Sequence, residues 1–327
     1  MSWPSERDAP AGRRCADGKV IRMRYPNFFI VGAPKCGTTA LAQYLSEHTA
    51  VVMSQPKEPH YFAADLPGLQ DTTDEAEYRA MFAGVSEATR AVGEASVYYL
   101  YSRVAVANLH RYNPEARVVV MIRDPLAMLV SYHRQLCLVR DEDVPLAEAL
   151  ALEAERAQGR RLPRQCRAAA LLQYRQVIRL GQQLRRLLDV VPREQVHVIV
   201  MDDFAADTRA EYRRVLAFLD LTDDGRSEFP VVNPARGMRS RALATFTEKT
   251  PRVLTRAALG VKHALGLGDL GVLERLRRLN ATGADDAPLS PALCDRLRDE
   301  LSDDVKQLSQ IAERDLAALW WGEAGTH

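Results

Sequence analysis

The chemistry of this chain starts at Lys35. The lysine lies in Phe28-Phe29-Ile30-Val31-Gly32-Ala33-Pro34-Lys35-Cys36-Gly37-Thr38-Thr39-Ala40-Leu41, where two glycines, a lysine and a threonine pair separate an apolar run from a helical pattern. The first N–H groups of a helix have no intrahelical acceptor, and the macrodipole adds positive potential there. A glycine-bearing loop feeding such a helix is a phosphate cradle, with Lys35 as its point charge. The order differs from a nucleoside-triphosphate loop, in which the lysine directly follows the second glycine. Here Lys35 precedes Gly37.

Two further groups carry chemical potential. Arg123 follows the apolar run Arg117 to Ile122 and precedes Asp124-Pro125, with Ser131 eight residues on. A guanidinium at a strand's carboxyl end can grip a phosphate through two parallel bonds, and a serine adds one hydroxyl donor. Either residue alone is an ordinary surface or helix residue. Glu58 and His60 fall in Ser54-Gln55-Pro56-Lys57-Glu58-Pro59-His60-Tyr61-Phe62, which its two prolines make an extended loop. Taken without context, that loop reads as solvated, with incidental charges.

The elements that must position these groups follow from periodicity. Continuous apolar runs at 28–32, 51–53, 117–122 and 196–201, with another strand end near 92–96, read as buried strands. Helical spacing follows at 41–48, 75–82 and 126–133, and again at 168–190, 212–219 and 289–321. Asp124 as cap with Pro125 at the first helical position is a strong helix start. Strands alternating with helices predict an α/β fold of three layers, a central parallel sheet with helices on both faces. Such a sheet binds ligands at the carboxyl ends of its strands. Residues 141–168, broken by Pro145, Gly159 and Pro163 and carrying Arg156, Arg160, Arg161, Arg164 and Arg167, read as a mobile, solvated stretch. Trp320 and Trp321 read as packing.

These residues resemble sulfotransferases that use 3′-phosphoadenosine 5′-phosphosulfate, above all the heparan-sulfate-type branch and its bacterial relatives. The resemblance covers most of 27–320, with specific motifs at the Lys35 loop, at Glu58–His60 and at Arg123–Ser131, and generic matches past Leu221. It implies that Lys35 contacts the bridging oxygen of the donor and that Cys36, Gly37, Thr38 and Thr39 surround its 5′-phosphate. It implies that Arg123 and Ser131 hold the 3′-phosphate, with Arg134 as an extra cation, and that Glu58 is the general base, oriented or assisted by His60. Cytosolic aryl-type relatives use a histidine base, which makes His60 and His110 the residues to test if Glu58 fails. Arg236-Gly237-Met238-Arg239 resembles the basic loop closing on the nucleotide; an ordinary surface loop reads equally well. Glu94 and Ser96 would line an acceptor pocket. The implied product is adenosine 3′,5′-bisphosphate, with no metal.

The totals bound the rest. The chain has 327 residues, 47% of them hydrophobic, and a formal net charge of +1, which gives no global support for a nucleic-acid partner. Cys15, Cys36, Cys137, Cys166 and Cys294 are odd in number and lack metal-ligand spacing, as expected of a reduced, cytoplasmic protein. No apolar run of transmembrane length is present, and residues 1–24 read as a loose arm before one domain over 25–327, with 251–287 variable within it. The expected acceptor is a hydroxyl, less readily an amine, of a carbohydrate, glycolipid or small metabolite. One rival is a small-molecule kinase using ATP and magnesium, in which Val198 to Asp202 would be a strand ending in a metal ligand. The other is a nucleotide-binding protein without catalysis.

Overall fold

The computed structural model describes residues 26–230 and 289–322, together with four two-residue strands outside them. The strands are β1 (Arg13–Arg14), β2 (Val20–Ile21), β3 (Phe28–Gly32), β4 (Val51–Met53), β5 (Ala91–Ala95), β6 (Arg117–Ile122), β7 (Val196–Val200), β8 (Gly237–Met238) and β9 (Ala281–Thr282). Five of them form one parallel sheet in the order β4-β5-β3-β6-β7. The α/β reading holds, and the four apolar runs are strands within a residue of their expected limits. All five residues of β3 are buried, as the central place of this strand requires.

The helices that matter for the site are α1 (Thr38–Ser46), α2 (Glu75–Ala80), α3 (Ala105–Tyr112) and α4 (Pro125–Leu138). They are followed by α5 (Leu146–Ala151), α6 (Glu153–Ala157), α7 (Tyr174–Val177), α8 (Leu180–Leu188), α9 (Met201–Ala206), α10 (Thr208–Phe218), α11 (Pro291–Ala312) and α12 (Leu316–Trp321). The chain divides into two compact units, Met1–Val232 with Leu289–His327, and Asn233–Pro288. Within the second, the structure describes the antiparallel pair β8 and β9.

Several expectations are corrected. The single helix expected over 168–190 is a short 3-10 turn followed by α7 and α8. Gly181 lies so close to α11 that a Cβ there would stand 2.2 Å from the Asp304 carbonyl oxygen. The Asp304 carboxylate in turn accepts the Gly181 and Gln182 N–H groups at 2.9 Å each, so α8 takes its cap from another helix. The expected terminal helix is α11 and α12, separated at Glu313, whose φ is 52°. The stretch 141–168 is built, not loose. Arg156 is 1% exposed and forks onto Glu142, itself 0% exposed, with N–O distances of 2.5 and 2.8 Å. Tyr174 donates to the same carboxylate at 2.7 Å. Arg167 binds the buried Asp141 through its Nε and Nη2 at 2.9 and 2.6 Å. A run of arginines looked solvated because the carboxylates that neutralise two of them lie 14 and 26 residues away in sequence.

Candidate functional site

Strands β5, β3 and β6 are neighbours, and their carboxyl ends bring the Lys35 loop beside Arg123 and Ser96. Hydrogen bonds fix the junctions. Ala33 N–H donates to Met121 O at 2.8 Å, Ser96 N–H to Ile30 O at 3.1 Å and Leu100 N–H to Val31 O at 2.9 Å. Gly32 has φ 151° and Gly37 φ 88°. A Cβ on Gly32 would meet Val97 O at 2.9 Å, and one on Gly37 would meet Met201 Sδ at 2.7 Å. Both positions therefore need glycine for conformation, and Gly32, facing a backbone oxygen, for space as well.

Gly37 caps α1 without a side chain, and among the described residues the N–H groups of Thr38 and Thr39 have no protein acceptor. Cys36 is fully buried beneath the loop, and burial pushes its thiol up to about 12. Its N–H donates to Ala33 O at 3.3 Å, so Cys36 shapes the turn from within.

Lys35 and Arg123 meet at this loop. Arg123 Nη1 donates to Lys35 O at 3.3 Å, and Lys35 Nζ donates to Gln135 Oε1 at 3.2 Å. Burial, then the guanidiniums of Arg123 and Arg134, hold the Lys35 ammonium below its ordinary value of 10.5, with Glu58 acting in the opposite sense. Neither Lys35 nor Arg123 has a carboxylate at ion-pair distance among the described residues, apart from this longer-range influence of Glu58. Asp124 begins α4 by accepting the Leu126 and Ala127 N–H groups at 3.2 Å each. Ser131 lies one turn before Gln135 on the same ridge, which places it on the face of α4 that meets the loop. The resulting collection of cations, hydroxyls and unshared helix N–H groups suits phosphate.

Across from this half, Glu58 and His60 occupy a turn with positive φ at both residues, 62° and 50°. Lys57 pairs with the Glu58 carboxylate and also donates to Thr39 Oγ1 at 3.3 Å, joining the turn to the cradle. His60 Nδ1 lies 2.6 Å from Glu58 O; a carbonyl only accepts, so Nδ1 carries the proton. His60 thus engages the main chain of Glu58 and not its carboxylate. Its Nε2 is buried without a protein partner among the described residues, and burial lowers its basicity. Phe62 anchors the turn against Phe29 of β3 at 5.8 Å between ring centres.

Other expectations fall elsewhere. Glu94 and Ser96 are both 0% exposed and support the turn from beneath. His110 is in the last turn of α3, which leads to the amino end of β6, opposite the Lys35 loop. Arg236 lies outside the described residues, and Gly237 is the first residue of β8. Asp202 falls in α9, not on a strand, and accepts from Trp320 Nε1 at 3.0 Å. Trp321 Nε1 donates to Asp124 Oδ1 at 3.1 Å, so the tryptophan pair both packs and ties α12 to two helix starts. Gln135 and Lys57 were missed as site residues. The four-residue step from Ser131 pointed to the first, and adjacency to Glu58 to the second.

Comparison with known proteins gives a consistent answer. The family model described as "Sulfotransferase domain" matches residues 25–229. Carbohydrate sulfotransferase 15 of Rattus norvegicus is 28% identical over 255 residues, covering 62% of this chain and 45% of that protein. Heparan sulfate glucosamine 3-O-sulfotransferase 6 of Homo sapiens is 29% identical over 131 residues, covering 40% of this chain and 36% of its own length. The chain thus spans less than half the length of these relatives. A sulfotransferase from Alicyclobacillus acidocaldarius has a similar structure, with TM-score 0.65, 28% identity, and coverage of 90% of this chain and 98% of that one.

Proposed function

Since the chain belongs to the sulfotransferase family, we propose that it moves a sulfo group from 3′-phosphoadenosine 5′-phosphosulfate to a hydroxyl, less readily an amine, of a carbohydrate, glycolipid or small metabolite. The relatives named for carbohydrate and heparan sulfate favour a sugar hydroxyl. One observation carries the reading. Lys35 and Arg123 stand together at adjacent strand ends, without carboxylate partners among the described residues, beside the free N–H groups of Thr38 and Thr39.

In this reading Thr38, Thr39 and the start of α1 bind the 5′-phosphate, while Arg123 and Ser131 bind the 3′-phosphate. The acceptor oxygen attacks sulfur in line, and the bond from sulfur to the phosphate oxygen breaks. Lys35 stabilises the negative charge that collects on that oxygen, and Glu58 takes the acceptor's proton. Lys57, bound to both Glu58 and Thr39, holds base and cradle at a fixed separation, so positioning and electrostatics supply most of the catalysis. A kinase reading is not favoured, because Lys35 precedes Gly37 instead of following it, and Asp202, the magnesium ligand it needs, falls in α9 and not on a strand.

Thermal denaturation with ligands tests the proposal. Adenosine 3′,5′-bisphosphate without magnesium should raise the melting temperature, because a ligand that binds only the folded state stabilises it. Stabilisation by ATP with magnesium alone would sink the reading. Labelled donor incubated with a cell extract, followed by mass spectrometry of what gains a sulfo group, identifies the acceptor.

A further inference from the structure

Glu94 is a wholly buried carboxylate at the carboxyl end of β5, and no step above uses it. Two hydroxyls donate to it: Ser96 Oγ to Oε1 at 2.6 Å, and Tyr78 to Oε2. Ser96 looks the other way as well, toward the turn that carries Glu58, and Tyr99 supports the same turn. Ser96 Oγ accepts the His60 N–H at 3.0 Å, and the Tyr99 oxygen accepts the Phe62 N–H at 3.2 Å.

We propose that Glu94 is a positioning residue for the general base, acting through Ser96 to hold the Glu58–His60 turn; this rests on the reading of Glu58 as the base. A hydroxyl has a single proton, and an ionised carboxylate can only accept. Burial pushes Glu94 up to about 7, so the accepting form prevails above that pH. With its proton committed to Glu94, Ser96 presents a lone pair to the His60 N–H. The turn needs such support, because Glu58 and His60 are both held at positive φ, a conformation that persists only where surrounding structure fixes it. Glu94 is therefore linked to the base through backbone and hydroxyl alone, without touching it.

A double-mutant cycle tests this in the full chain. Glu94→Gln keeps the shape but sets an amide N–H where an oxygen accepted, so a hydroxyl facing it must turn its proton away and the bridge to the turn loosens. Its kcat should fall about 10- to 100-fold, the cost of a misplaced catalytic group, with the KM for the nucleotide donor within about twofold. In a Glu58→Gln background the same change should cost less than about twofold, because the group it positions is already gone. Hydrogen exchange in the peptide covering 57–62 should quicken in Glu94→Gln. Should that variant fold poorly, Ser96→Ala breaks the same bridge and should show the same pattern. Equal losses in both backgrounds, or wild-type kcat with unchanged exchange, would overturn the proposal. An unimpaired Glu58→Gln enzyme removes the base assignment, and the proposal with it.

Discussion

Two clusters of cations lie in this molecule and have opposite fates. Around Lys35, positive groups face one another, so burial and the neighbouring arginines weaken the lysine's hold on its proton. Around Arg156 and Arg167, each guanidinium forks onto a buried carboxylate. Burial alone would push Glu142 up, but its bonds from Arg156 and Tyr174 outweigh that and hold it below the ordinary carboxylate value. A cation satisfied within the fold serves structure, whereas one gathered with other cations at a helix start is available to an external anion. Residue type does not distinguish the two; the partner does.

The strongest way to break this comparison is to remove one member of each cluster. Lys35→Ala should lower kcat/KM for sulfo transfer by about 10³-fold, the upper range for losing one charge-stabilising donor. Its melting temperature should stay the same or rise, because a buried repulsion has been relieved. A fall in melting temperature with activity retained would assign Lys35 to structure. Glu142→Ala should behave the other way, losing about 3–5 kcal/mol of stability in urea titration because Arg156 is left buried and unpaired. Nucleotide binding per folded molecule should be preserved.

Titration sharpens the contrast, since the two clusters answer to opposite ends of the pH scale. Glu142 has its folded value lowered, so its contribution is present above the ordinary carboxylate value of 4.5 and is lost as pH falls through the folded value. Urea midpoints measured downward from neutral pH should show that loss, and Glu142→Gln should flatten it. Lys35 also has a lowered folded value, so it gives up its proton before an ordinary lysine at 10.5. Calorimetry should show nucleotide affinity falling as pH rises toward 10.5, with Lys35→Arg postponing the decline. The smallest effect belongs to Arg160, whose pairing with Glu155 is long, at 4.0 Å, and exposed. Arg160→Ala should change stability by less than about 0.5 kcal/mol and activity not at all.

Much of the site was legible because it is local. Gly32 to Thr39 reads as a cradle since strand, turn and helix start are contiguous, and Arg123 to Ser131 reads as a unit since Asp124 and Pro125 fix where α4 begins. Glu58 is singled out by its motif, whereas the hydroxyl beneath its turn is not. Glu94 is 36 residues from Glu58 in sequence, and what joins them is hydroxyl geometry that no spacing encodes. The broken helix at 168–190 was hidden for a similar reason. Its apolar period is helical throughout, while the cap that starts α8 afresh belongs to Asp304.

Sequence by itself determined the sheet's strands, the cradle and the identity of the charged groups at its rim, because each follows from residue order within a few turns of chain. Tertiary structure alone decided which charges are neutralised. Coulomb energy depends on distance and burial, and these place Asp141 and Glu142 against arginines far along the chain while Lys35 and Arg123 are left facing each other.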